Sequence, residues 1–304
     1  MKIIFMGTPN FAVPILKAIY ESEHKILEVY TQPATKSGRG QKFNHSDIFY
    51  CAEQLNLKVR SPNNLETNEE INHIKKLKPD LVVVVAYGKI LPEKLLNIDK
   101  LLFINVHASL LPKWRGAAPI QRAIMNMDSE TGISIMKIVP QLDAGPVMLQ
   151  EKIKISQEMS YEDLSKKMSS IAAKLILNSI NLIKIDKANF IEQKESEASY
   201  AKKIDKKESR INWNEDASNI IAKINALNPN PGCWFDLSGS RIKILKATEV
   251  KMNGKPGVIL NENMTIACSK NAIQILEIQK EGKRKITVQE FLRGNKLKTG
   301  FTLN

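Results

Sequence analysis

Five short apolar runs punctuate the first 140 residues, and they constrain the fold more than any other feature of this chain. KIIFMG starts at Lys2, ILEVYT at Ile26, LVVVVAYG at Leu81, FINVHAS at Phe103 and GISIMKIV at Gly132. Each is rich in Val and Ile and is bounded by polar or turn-forming residues, the signature of strands. Between them lie FAVPILKAIYESE, NEEINHIKKL and APIQRAIMNM, with apolar residues at helical spacing. Near-continuous apolar strands alternating with helices predict an α/β, Rossmann-like fold, a mostly parallel sheet with helices on both faces. In such a sheet, ligands bind beyond the carboxyl ends of the strands. A longer helical stretch at 160–185 closes this domain, which is expected to span 1–188.

From residue 188 the texture changes. ANFIEQKESEASYAKKIDKKESR is polar and aperiodic, which reads either as a linker, assigned to 189–205, or as a solvated surface helix. A helix over DASNIIAKINAL then precedes five short runs, WFDL, RIKILKATEV, GVILNE, MTIACS and AIQILEIQK. Short strands joined by Gly- and Asn-containing turns predict a small barrel or sandwich. The net charge of the chain is +13. Residues 201–304 hold 19 Lys and Arg against 10 Asp and Glu, so they carry +9 of it. Five strands with that charge suit an oligonucleotide-binding-like β-barrel over 206–304. Solvated lysine faces account for the charge equally well, so charge alone does not identify a partner.

Several classes are disfavoured. No apolar run approaches the ~18 residues that span a bilayer, and the opening MKIIFMGTPNF is too short in apolar residues for a signal peptide. Cys51, Cys233 and Cys268 are odd in number and lack CxxC spacing, which favours reduced, structural thiols and a cytoplasmic protein without zinc. There is no HExxH or paired-His spacing, so no metal is expected. MGTPNFAVP follows the first strand but has one glycine where the dinucleotide fingerprint needs three, and no GxxxxGK[ST] occurs. NAD and ATP are therefore not expected at this loop.

Candidate chemistry begins with Asn105 and His107. Residues i and i+2 of a strand face the same side, so an amide and an imidazole point together near a strand's end. Such a pair can polarise a carbonyl and stabilise an oxyanion; an isolated NxH can equally be a structural cap. Asp143, in the turn LDAG, is either a plain turn residue or a carboxylate delivered to the same crevice by the end of the neighbouring strand. No GxSxG is present. His24, His45 and His73 sit in polar or helical contexts and read as surface residues.

Taken together, these stretches carry a family resemblance. NVHASLLPKWRGAAPIQ at 105–121, with Asp143 placed 36 residues after His107, resembles the folate-dependent formyltransferases. GTPNFA at 7–12, TQPATKSGRGQK at 31–42, VVVAYGKILP at 83–92, RINW at 210–213 and NPNPG at 228–232 extend the resemblance over essentially the whole chain. It is strongest with the branch that acts on aminoacyl-tRNA. The resemblance implies transfer of the formyl group of 10-formyltetrahydrofolate to the α-amino group of initiator methionyl-tRNA. It implies a folate pocket lined by Ser109, Leu110, Leu111 and Pro112 together with Ala86, Tyr87 and Gly88. Asn105 and His107 would stabilise the oxyanion. Asp143 would orient His107, favour its cationic form and help move the proton. Lys36, Arg39 and Lys42, on a loop expected to be flexible and exposed, would reach the tRNA, and Arg241, Lys243 and Lys246 would hold its phosphates. No membrane partner is implied, and the chain is expected to act as a monomer. The competing readings are a formyltransferase for a glycinamide nucleotide or an amino sugar, and a non-catalytic RNA-binding protein on an inherited frame. The intact set Asn105, His107 and Asp143 argues against the last.

Overall fold

The structure, a computed structural model, describes residues 1–37, 42–295 and 297–303. All five apolar runs of the first half form strands of one seven-stranded sheet. Its order is Val147–Lys154, Glu130–Lys137, Leu102–His107, Leu81–Val85, Lys2–Gly7, Lys25–Tyr30, Val59–Arg60. Lys2–Gly7 pairs in parallel with Leu81–Val85 on one side and with Lys25–Tyr30 on the other. Strand order therefore reverses between these neighbours, the place where an open α/β sheet forms its ligand crevice.

Both faces of the sheet are covered. Ile4, Met6, Val82, Val84 and Phe103 pack with Tyr30, Ile74 and Leu95 in one core cluster. The intervening Ile3, Phe5, Val83, Val85 and Ile104 are fully buried as well. This is why LVVVV shows no alternation of apolar and polar residues. Local signals fix the helix starts: Ser46 accepts the N–H of Phe49 at 3.0 Å, and Thr67 that of Glu70 at 3.3 Å. The long helix expected near 160–185 runs Tyr161–Lys184.

The second half contains a five-stranded antiparallel sheet. Ser240–Val250 pairs with Cys233–Leu237 and with Ala272–Lys280, whose other edge carries Thr265–Ala267 and Lys285–Thr287. The helix Ala217–Leu227 accompanies it, with Ile220, Ile224 and Leu227 buried. Among the described residues no ladder joins Cys233–Leu237 to Thr265–Ala267, which leaves the open seam that a partly open, oligonucleotide-binding-like barrel has. GVILNE, read as one of the five strands, contributes only isolated bridges at Val258 and Ile259. The fifth strand is Lys285–Thr287, which leads into a helix at Val288–Gly294 through a capping box between Thr287 and Glu290.

By contacts the chain divides into two compact units. The first comprises Met1–Pro119, Thr131–Ile153 and Ser165–Ala201; the second comprises Ile120–Glu130, Lys154–Leu164 and Lys202–Asn304. Two excursions of the first half thus group with the C-terminal half, for a visible reason. Arg122 donates to the Lys202 carbonyl at 3.1 Å and makes two bonds to the Glu208 carboxylate, at 2.7 and 3.0 Å. Asn225 donates to the Gln157 carbonyl at 3.1 Å. The stretch read as a linker is also held down: Tyr200–Ala201 pairs in parallel with Arg115–Gly116, and Ile191 bridges Val147.

The bond from Arg122 holds the Glu208 carboxyl below its ordinary range. The resulting stabilisation is present above the unfolded carboxylate pKa and is lost as pH falls through the lower folded value. Arg122→Ala should lower the melting temperature at neutral pH by about 2–4 °C, corresponding to roughly 1 kcal/mol. Thermal melts at descending pH should show wild type and variant converging in acid.

Candidate functional site

The parallel register sets Val84 beside Asn105, so the backbone from Ala86 onward leaves its strand next to His107. Asn105 is half-buried, and among the described residues nothing bonds its side-chain amide, which leaves two donors available. His107 is only 5% exposed. Its Nε2 lies 2.9 Å from the Trp114 carbonyl. A carbonyl oxygen can only accept, so Nε2 carries a proton. The other ring nitrogen, Nδ1, lies 3.6 Å from Asp143 Oδ2, an ion-pair distance rather than a hydrogen bond. That same Oδ2 accepts the N–H of Gly116 at 2.8 Å. Gly116 has φ 117°, and a Cβ there would lie 2.9 Å from the Ala201 carbonyl. The Trp-Arg-Gly corner therefore needs its glycine to bring an N–H to the carboxylate.

Asp143 does not reach His107 by the expected route. Glu130–Lys137 runs antiparallel to its neighbour, His107 facing Ser134 and Ile104 facing Lys137. Its end therefore lies toward the start of the His107 strand, and the loop that follows must turn back to deliver the carboxylate. Asp143 sits in that loop at φ 48°, the left-handed region that Asp and Asn tolerate better than most residues. Gln193 clamps the loop, its Nε2 donating to the carbonyls of Asp143 at 2.8 Å and Gly145 at 2.7 Å. The Oε1 of Gln193 accepts from Arg115 Nε at 3.1 Å, and Arg115, 2% exposed, also bonds Glu195 at 2.8 Å. Sequence reading passed over Gln193 and Arg115. Aperiodic polar chain gives no hint that it lies against the Asp143 loop.

The residues expected to line a folate pocket separate into two groups. Ser109 is fully buried, and its hydroxyl donates to the Lys113 carbonyl at 2.5 Å, while Ser134 Oγ donates to the Ser109 carbonyl at 2.6 Å. The Leu111 N–H donates in turn to Ser134 Oγ at 3.0 Å. Ser109 and Leu111, also buried, thus shape the turn, whereas Leu110 and Pro112 are partly exposed. Tyr87 corrects the expectation outright for its side chain. The ring belongs to the core cluster with Ile4 and Tyr30, and burial pushes its phenol up to about 12. Only its carbonyl faces polar groups, accepting from Thr8 Oγ1 at 2.8 Å and Gln32 Nε2 at 3.0 Å. Ala86 and Gly88 on either side are exposed.

A formyl transferase family model matches residues 1–180, and the C-terminal domain model of formyl transferases matches residues 203–296. The chain belongs to the formyl transferase family. Among its relatives is the methionyl-tRNA formyltransferase of Pelagibacter ubique (strain HTCC1062), 50% identical over 98% of this chain and 97% of that one. Solved structures resemble it at lower identity. WlaRD, a sugar 3N-formyl transferase studied with dTDP and 5-N-formyl-THF, gives a TM-score of 0.68 at 20% identity, covering 93% of this chain and 99% of that one. A variant of HypX from Aquifex aeolicus gives 0.68 at 18% identity over 97% of this chain. This chain spans about half of the length of HypX, 48%.

Other positions of this formyl transferase depart from the sequence reading. His24 is buried, 6% exposed, not superficial, with Nδ1 3.4 Å from the N-terminal amine; burial lowers its pKa, and the ammonium charge lowers it further. His73 pairs with Glu28 at 2.7 Å, and His45 is exposed and stacked on Phe49. Thr35–Ser37 and Lys42–Asn44 pair as an antiparallel ribbon at the two ends of the expected flexible loop, whose residues 38–41 lie outside the described residues. Lys36 lies on it with Nζ 5.5 Å from the centre of the exposed Phe43 ring; Arg39 lies outside the described residues, as does the side chain of Lys42. In the second unit, Arg241 stacks over Trp234 at 4.4 Å, and with Lys206, Lys243 and Lys280 it lines a groove of about 420 Å³. Lys246 does not join them. Register shifts on both sides of it break the alternation, and it lies opposite Glu277 in a separate cavity shared with Asp128, Glu158, Asp163 and Glu249. The three cysteines are buried and unbridged. Among the described residues no group of three potential ligands could hold a metal, and no helix is long and apolar enough to cross a membrane.

Proposed function

We propose that this chain transfers the formyl group of 10-formyltetrahydrofolate to the α-amino group of initiator methionyl-tRNA, in the cytoplasm. The convergence of Asn105, His107 and Asp143 at the crevice of the first sheet carries the chemistry. Relatedness that runs through the C-terminal residues to a methionyl-tRNA formyltransferase supports the choice of substrate. The surroundings fit a folate. Leu110 and Pro112 offer partly exposed apolar surface, and Ala86 and Gly88 leave backbone open beside the reactive groups.

The Asn105 amide, free of protein partners, donates to the formyl oxygen as the amine adds to the formyl carbon. His107 shares its Nε2 proton, which it donates to the Trp114 carbonyl in this structure, with the developing oxyanion. Asp143 stays beside the ring as a counter-charge. It also guides the proton lost by the attacking amine to the folate nitrogen, as the bond from that nitrogen to the formyl carbon breaks. The probative assay supplies 10-formyltetrahydrofolate and charged initiator tRNA and measures formylmethionine. Formylation of an amino sugar nucleotide, but not of the tRNA, would overturn this choice of acceptor.

The second unit contributes tRNA affinity through Arg241 and Lys243, with Lys36, Arg39 and Lys42 touching the tRNA from the first. The double substitution Arg241→Ala with Lys243→Ala should weaken tRNA binding and leave folate binding unchanged. It should also flatten the log-log salt dependence by roughly two units, about one per phosphate contact. Filter-binding titrations across a salt series check this; an unchanged slope would remove both residues from the interface.

A further inference from the structure

We infer that Gln193 is a positioning residue for formyl transfer, the clamp that keeps Asp143 facing His107. The inference rests on the catalytic reading of Asp143. Its physical basis is the wiring of one side chain: both N–H groups of the Gln193 amide donate to the carbonyls of the turn, at Asp143 and Gly145, and its oxygen accepts a hydrogen bond from buried Arg115 Nε. Two donors and one acceptor on a single arm of this length are available only from glutamine. Glutamate lacks the donors, and asparagine is one methylene shorter.

The clamp matters because the base of the loop is closed by the Lys137 N–H donating to the Pro146 carbonyl at 2.9 Å, while Asp143 itself lies in no strand. Asp143 is left-handed at φ 48°, an unfavourable conformation for a residue with a side chain. The contact it serves, 3.6 Å from Oδ2 to Nδ1, is long enough that a small drift would end it. The opposite side of the pair is held by the same stretch of chain. Ser199 Oγ accepts the N–H of Trp114 at 3.0 Å, and the Trp114 carbonyl is the partner of His107 Nε2. The polar stretch that follows the long helix thus fixes both members of the charge pair, and Gln193 is its contact on the carboxylate side.

The test compares Gln193→Glu and Gln193→Met in the full-length protein. Glutamate keeps the acceptor for Arg115 but replaces two donors with a carboxylate facing two carbonyls; methionine keeps the bulk and removes all three bonds. Both should lower kcat about tenfold, because misplaced catalytic groups lose rate steeply. The KM for either substrate and folate affinity should change little. In an Asp143→Asn background, either substitution should lower kcat no further, since Gln193 acts through that carboxylate. Normal kcat in both variants while Asp143→Asn alone is slow would overturn the inference and spare the reading beneath it, as would losses that multiply in the double variants. Near-normal turnover of Asp143→Asn would bring down both.

Discussion

Asp143→Asn should reduce formyl transfer about a hundredfold while folate binding stays close to that of wild type. Asparagine preserves the volume of the side chain, and its oxygen can still accept the Gly116 N–H that Oδ2 accepts at 2.8 Å. The charge 3.6 Å from His107 Nδ1 is lost. Electrostatic stabilisation at the point where transition-state charge develops is typically worth about 3 kcal/mol, which corresponds to that factor. Steady-state kinetics with both substrates, alongside a folate titration, separate the outcomes. Turnover near that of wild type would remove Asp143 from the mechanism, whereas matching losses of kcat and folate affinity would assign it to the pocket instead.

Gly145→Ala should be more disruptive still, although residue 145 touches no substrate in this reading. A Cβ at this position would fall 1.9 Å from the Lys137 carbonyl oxygen and 3.3 Å from Val139 Cγ1. Backbone is the first obstacle, so the clash cannot be relieved by rotating a side chain. The loop that returns from Lys137 would have to open, carrying Asp143 with it and pulling the Gly145 carbonyl from Gln193. Overpacking of this kind costs about 1–3 kcal/mol of stability. Displacement of the carboxylate should cost at least as much activity as Asp143→Asn. Circular dichroism melts and kinetics on the same preparation test both halves, and a fully active, fully stable variant would show that the loop is not constrained as described.

Much of the first sheet was legible because its strands are buried on both faces. Apolar runs such as LVVVV need no tertiary information to be recognised, and the placing of Asn105 and His107 two residues apart near a strand's end followed from strand geometry. The helix at Val288–Gly294 was legible in principle, through Thr287 and Glu290 at capping-box spacing, but was not read. Strand direction was not legible. Nothing in GISIMKIV distinguishes an antiparallel strand from a parallel one, so the direction from which Asp143 approaches His107 differs from the one expected. Tyr87 was misplaced because a tyrosine one residue beyond an exposed position can turn its ring into the core or out of it, and only the packing of Ile4 and Tyr30 decides. Lys246 stands at odd spacing from Arg241 and Lys243, which strict alternation already sets on opposite faces, so spacing alone gave no ground for grouping the three.

The α/β class, the family, and Asn105, His107 and Asp143 as candidate groups can all be read from the sequence. Period and residue chemistry are written locally, and local information suffices for these. Tertiary structure alone shows that His107 donates its Nε2 proton to the Trp114 carbonyl, and that Gln193, Glu195 and Ser199, from the stretch between the two matched domains, bond Asp143, Arg115 and Trp114. Those are hydrogen bonds between residues 7 to 85 positions apart. Such bonds depend on where the chain returns in space, and a sequence read along its length carries no periodic trace of that return.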